Sequence, residues 1–134
     1  MASIHLEIEV AAAPETVWSA IRDVGAVHTR FARDFVTDCR LEEGARVVTF
    51  ANGAVARELI VDIDDNARRL TYAVSGGSMT HHNASFQVFP AGAVTKLVWI
   101  ADFLPNEVTD YMHMMMEQGS KAIRRTLERA AMYK

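Results

Sequence analysis

The chain has 134 residues, half of them apolar and 23% charged, with a formal charge of -3. That balance fits one globular domain, residues 1–134, and excludes a disordered chain; the charge gives no electrostatic case for nucleic acid or an anionic membrane. A single cysteine, Cys39, excludes an internal disulfide; with neither a secretory leader nor an apolar run long enough to span a bilayer visible, the expectation is a cytoplasmic protein.

Residues 4–10 alternate, with Ile4, Leu6, Ile8 and Val10 on one side and His5, Glu7 and Glu9 on the other, which predicts a strand with one wet face. Three alanines break the pattern, and Pro14 suits the first turn of a helix, where its missing N–H costs nothing. Val17, Ile21 and Val24 follow at helical spacing beside Trp18, and Gly25 reads as the stop. Residues 26–33 predict a second short helical turn.

Strands are predicted at 35–41, 46–51, 54–63, 70–75, 82–89 and 94–103. Asn52-Gly53 tolerates positive φ at both positions and predicts a two-residue type I′ hairpin. Residues 64–66, 76–78 and 90–92 supply further turns, so the middle of the chain should be an antiparallel meander. After Pro105 the period becomes 3.6, with Asn106 as the expected N-cap, Glu107 and Asp110 in the first turn, and Lys121, Arg124, Arg125 and Arg129 toward the end, as the macrodipole favours. The apolar face predicted for this helix runs from Val108 through Tyr111, Met112, Met115, Gly119, Ala122, Ile123 and Thr126 to Ala130. About 25 residues of helix reach roughly 38 Å, enough to cross a small sheet. The expected fold is α+β: a seven-stranded curved antiparallel sheet wrapped around the long C-terminal helix, with two short helices between strands 1 and 2. Gly119, mid-face, is expected to leave a notch beneath that helix.

The segments APETVW (13–18), FANGAVARELIVDIDDNARRLTYAV (50–74) and LVWIADFLP (97–105) carry a resemblance over nearly the whole chain. It resembles the polyketide cyclase/dehydrase family, a branch of the START-related (SRPBCC) helix-grip superfamily that also holds the birch-pollen allergen and the plant abscisic-acid receptors. The resemblance implies a ligand cavity between sheet and C-terminal helix. It maps cavity positions onto Glu58, Tyr72 and Trp99, onto His82, Ala84 and Phe86 of the strand after Gly76-Gly77, and onto Tyr111, Met112, Met115 and Gly119 of the helix. In the receptors two loops gate the pocket, in the regions matching 51–55 and 76–82; this chain keeps the two glycines but not the residues around them.

The residues themselves leave alternatives open. If Leu59, Val61 and Ile63 mark the buried face of their strand, Glu58 points outward as a solvated acid; the resemblance turns it inward, and a bulge can reverse such parity. Of the adjacent pair His81 and His82, only one can face inward, and the parity of Ala84, Phe86 and Val88 selects His82, either as a partly wet residue at the cavity mouth or as a catalytic one. Met112, Met115 and Met116 read as core or as a soft wall that adapts to greasy ligands, with His113 and Met114 turned outward. Cys39 has no base in sight and reads as structural, while Trp18 and Trp99 read as core or as stacking surfaces for a ring.

Three functions fit. The first is a carrier or binding protein for a lipid-like, aromatic or polyketide-like molecule. The second is a polyketide cyclase or dehydratase in which Glu58, His82 or Tyr72 moves protons. The third is an interaction module whose cavity is filled by side chains. None of them implies a metal or a cofactor, and homodimerisation is left open.

Overall fold

A computed structural model describes residues 2–133. Strand β1 (Ala2–Val10) leads into helix α1 (Pro14–Arg22) and a five-residue π-helical turn, Val27–Phe31. Six strands follow: β2 (Val36–Glu42), β3 (Ala45–Phe50), β4 (Val55–Asp64), β5 (Arg69–Ser75), β6 (His81–Ala91) and β7 (Val94–Leu104). A 3-10 turn, Asn106–Val108, opens into helix α2 (Thr109–Met132). The strands form one antiparallel sheet in the order β1-β7-β6-β5-β4-β3-β2. Only β1 crosses over, to the far edge beside β7, where Leu6 lies opposite Trp99.

The alternation in β1 holds residue by residue: Ile4, Ile8 and Val10 are buried, and His5, Glu7 and Glu9 are exposed. Helix α2 packs its long face on the sheet and buries Met112, Met116, Gly119, Ala122, Ile123, Thr126 and Leu127. Met116 and Leu127 belong to that face, whereas Tyr111 (42% exposed) and Ala130 lie on its rim. Thr126 ties the helix to the segment after the π-turn: its Oγ accepts the Arg33 N–H at 3.0 Å and donates to the Ala122 carbonyl at 2.7 Å.

Four local expectations are corrected. Gly25 does not stop α1, which ends at Arg22 with Asp23 as its C-cap; a Cβ on Gly25 would sit 3.0 Å from the Leu41 side chain, so its small size serves a close approach. Asn106 is the first residue of the 3-10 turn and gives no side-chain cap to α2. The Asn52-Gly53 turn is a three-residue loop: Phe50 and Ala54 close it, only Gly53 is left-handed (φ +89°), and Asn52 Oδ1 accepts the Ala54 N–H at 2.9 Å. Finally, Leu59 and Val61 are 45% and 57% exposed and do not mark the buried face of β4. The register shifts between Ile60 and Asp62. Val61 is the extra residue of a bulge, so the chain before it buries Glu58 and the chain after it turns Ile63 toward the side of its partner Leu70.

Candidate functional site

Between the inner face of the sheet and the first half of α2 lies a cavity of ≈ 470 Å³. Its walls are apolar: Phe35, Phe50, Ala56, Val74, Met79, Trp99 and Ala101 face Val108, Met112, Met115 and Met116 of the final helical segment. The 51–54 and 76–79 loops stand at the mouth. There Asn52 Nδ2 lies 3.4 Å from the Tyr111 hydroxyl and 3.9 Å from Met115 Sδ, so the β3–β4 loop touches the helix across the opening.

The polar groups gather at the inner end. Arg46 and Glu58 face each other in the register of β3 and β4, with Arg46 Nε donating to Glu58 Oε1 at 2.8 Å. Their side chains are 5% and 10% exposed. Arg46 Nη1 donates to the Val24 carbonyl at 3.3 Å, and the guanidinium carbon lies 5.5 Å from the centre of the Tyr72 ring. Trp99 Nε1 donates to the Tyr72 hydroxyl at 3.1 Å. Phe86 stacks on Trp99 with centroids 4.8 Å apart and on Tyr72 at 6.0 Å, while Phe31 meets it edge-on at 4.9 Å. Burial, and then the charge of Glu58, pushes the Tyr72 hydroxyl well above the ordinary phenol range, so it keeps its proton.

His82 lines the cavity near its mouth, edge-on to Phe103 at 6.5 Å, and its Nδ1 is buried without a hydrogen-bond partner. Burial, reinforced by the neighbouring His81, holds its pKa below the usual imidazole value, so the ring is neutral at neutral pH.

Of the positions named from the sequence, Glu58, Tyr72, His82, Trp99, Tyr111, Met112 and Met115 line the cavity; Ala84, Phe86 and Gly119 do not. Ala84, 2% exposed, lies in one cross-strand row between Tyr72 and Ala101 and is covered. Phe86 spends its faces on Tyr72 and Trp99 and reaches only an adjoining recess of ≈ 40 Å³, which it shares with Arg46 and Glu58. The notch at Gly119 is occupied: a Cβ there would stand 3.0 Å from Phe35 and 3.2 Å from Trp99, so the missing side chain admits those two rings rather than a ligand. Trp18 lies outside the cavity, its Nε1 donating to Asp65 at 2.9 Å. Cys39 is half-buried with its thiol pKa raised by burial, which makes it a poor nucleophile. Met114 is 46% exposed, and nothing in the structure explains it.

Sequence reading missed Arg46, the charged partner of Glu58, as well as apolar wall residues such as Phe35, Phe50, Val74 and Met79. The signal for Arg46 was pairing arithmetic: a three-residue loop at 51–53 sets Arg46 opposite Glu58, as observed, whereas the expected two-residue loop would set Val47 there.

The family model described as polyketide cyclase / dehydrase and lipid transport matches residues 1–132. The chain belongs to that family. Solved structures share its fold. XoxI from Bacillus cereus is 20% identical with a TM-score of 0.83, covering 95% of this chain and 96% of its own. A START superfamily protein from Mycobacterium smegmatis is 16% identical with a TM-score of 0.72, covering 98% of this chain and 97% of its own. A point mutant of norcoclaurine synthase from Thalictrum flavum, solved with a transition-state analogue, is 20% identical with a TM-score of 0.67, covering 96% of this chain and 95% of its own. No curated protein matches significantly. Among the described residues no helix is long and apolar enough to cross a membrane, and no group of three or more His, Cys, Asp or Glu is placed to hold a metal ion. Within the polyketide cyclase / dehydrase and lipid transport family, then, this member has a greasy chamber with one polar end.

Proposed function

We propose that this protein binds a small, largely apolar molecule between the sheet and α2, as a carrier or binding protein. One observation carries the reading: a ≈ 470 Å³ cavity whose wall is aliphatic, aromatic and thioether apart from a few polar groups, the pattern of a site that takes up a greasy body and orients it by sparse contacts. The methionines of α2 add a wall that re-packs around differing shapes.

The catalytic reading draws on Glu58, Tyr72 and His82, which share the cavity. Against it, Arg46 occupies one oxygen of Glu58, and Tyr72 is a hydroxyl that keeps its proton, so it serves as a donor rather than a base. The interaction-module reading needs an interior filled by side chains, which a chamber of this size does not favour.

The test is titration with N-phenyl-1-naphthylamine, a neutral probe that fluoresces in apolar surroundings, on wild type and on Ala56→Phe, which fills the wall from β4. Saturable fluorescence in the wild type that falls at least about tenfold in affinity in the variant supports the reading. Equal signals from both proteins, with the variant unfolding as cooperatively as wild type, would overturn it.

A further inference from the structure

The charges around the cavity are unequal in kind, and this bears on which apolar molecule enters. Its titratable lining residues are Glu58, Glu107, Tyr72, His82 and Tyr111; no lysine or arginine is among them. His82 is neutral at neutral pH, Tyr72 keeps its proton, and Glu107 is an exposed acid at the rim. Among the described residues, the cation beside Glu58 is Arg46, which lines not this cavity but the adjoining ≈ 40 Å³ recess, with Nε on the Glu58 carboxylate and Nη1 on a backbone carbonyl. On the cavity wall an incoming carboxylate therefore meets the Glu58 carboxylate and no lysine or arginine, and like charges repel across a poorly solvated space.

A hydroxyl meets a different surface. Glu58 Oε1 is committed to Arg46, but Oε2 receives no hydrogen bond from the described residues and remains an ionic acceptor. The Tyr72 oxygen accepts from Trp99, which leaves its own proton to give. A ligand hydroxyl can donate to Glu58 or accept from Tyr72, both of which line the cavity; a ketone can only accept, and a hydrocarbon does neither. From this geometry we infer that the cavity selects neutral apolar molecules carrying a hydroxyl, an alcohol or a phenol, seated on Glu58, and discriminates against carboxylates. The inference rests on the binding function proposed above and narrows it to a ligand class.

Three ligands of similar size separate the two ideas: 2-methylnaphthalene, 2-naphthol and 2-naphthoate, each measured at neutral pH by displacement of N-phenyl-1-naphthylamine. The wild type is expected to bind 2-naphthol at least about tenfold tighter than either of the others, the gain from a hydrogen bond to a charged acceptor. In Arg46→Met/Glu58→Leu, which removes the ion pair without leaving a lone charge, 2-naphthol should fall to the level of 2-methylnaphthalene. Glu58→Gln, if it folds, should lose the same lead and gain affinity for 2-naphthoate as Arg46 is freed. Naphthoate binding as tightly as naphthol to wild type, or naphthol keeping its lead in the double variant, would overturn the inference. Retention of 2-methylnaphthalene with no hydroxyl preference overturns it while leaving the binding function standing; failure of all three ligands and of the probe overturns both.

Discussion

Arg46 and Glu58 are 4% and 8% exposed, and each charge is tolerable at that depth only because the other answers it at 2.8 Å. Removing one partner leaves a buried ion. Arg46→Met is therefore expected to lower unfolding free energy by about 3 kcal/mol, and Arg46→Met/Glu58→Leu to recover most of that loss, as read from urea denaturation midpoints. A double variant no more stable than the single one would mean that Glu58 does not depend on Arg46. His82 makes a second residue-scale expectation. Its pKa is depressed in the folded state, so below its unfolded value, about 6.5, the unfolded chain binds more protons than the native one. The stability it supports is complete above that pH and is lost as pH falls from there toward the folded value. His82→Leu should flatten the fall of stability between neutral pH and pH about 5; an unchanged slope in denaturation series would place the titrating group elsewhere.

At the scale of elements, two glycines act for opposite reasons. Gly53 closes the β3–β4 loop with φ +89°, and a Cβ there meets no atom within 4 Å, so Gly53→Ala costs only the left-handed backbone, about 1 kcal/mol. Gly119 lies within α2, where alanine would ordinarily gain about 1 kcal/mol in propensity. Here the added Cβ would press on Phe35 at 3.0 Å and on Trp99 at 3.2 Å. The Trp99 ring is held by its bond to Tyr72 and its stacking on Phe86, so it has little room to yield. Gly119→Ala should thus lower the thermal midpoint despite better helix chemistry and shift the tryptophan emission. A raised midpoint would show that the contact between α2 and the sheet is loose.

For the whole molecule, helix and sheet enclose ≈ 470 Å³ that their own side chains do not fill, so packing enthalpy that a solid core would supply is left for a ligand. Any molecule that binds the folded state alone stabilises it by mass action, about 2.7 kcal/mol at a hundred times its dissociation constant. Saturation with 2-naphthol is expected to raise the melting midpoint by roughly ten degrees; an unchanged midpoint at saturation would place the ligand outside the fold's cooperative core.

Periods of two and 3.6, turn residues and charge placement were enough to predict the α+β architecture, the β1 alternation and most of the inward face of α2. Those features depend on neighbours a few residues apart, and the sequence displays such neighbours directly. The polar end of the cavity depends on register across strands. One residue more in the 51–53 loop sets Arg46 instead of Val47 opposite Glu58, and one extra residue at Val61 reverses which side of β4 is wet. A shift of one residue costs little locally yet exchanges the two faces of a strand, so side-chain pattern alone left both arrangements open. The sequence by itself therefore determined which segments are strands and helices and which family they compose. Only the packed tertiary structure decided that a salt bridge lies at the inner end of the chamber and that the notch at Gly119 holds aromatic rings, because burial and pairing across the sheet are properties of the assembled fold.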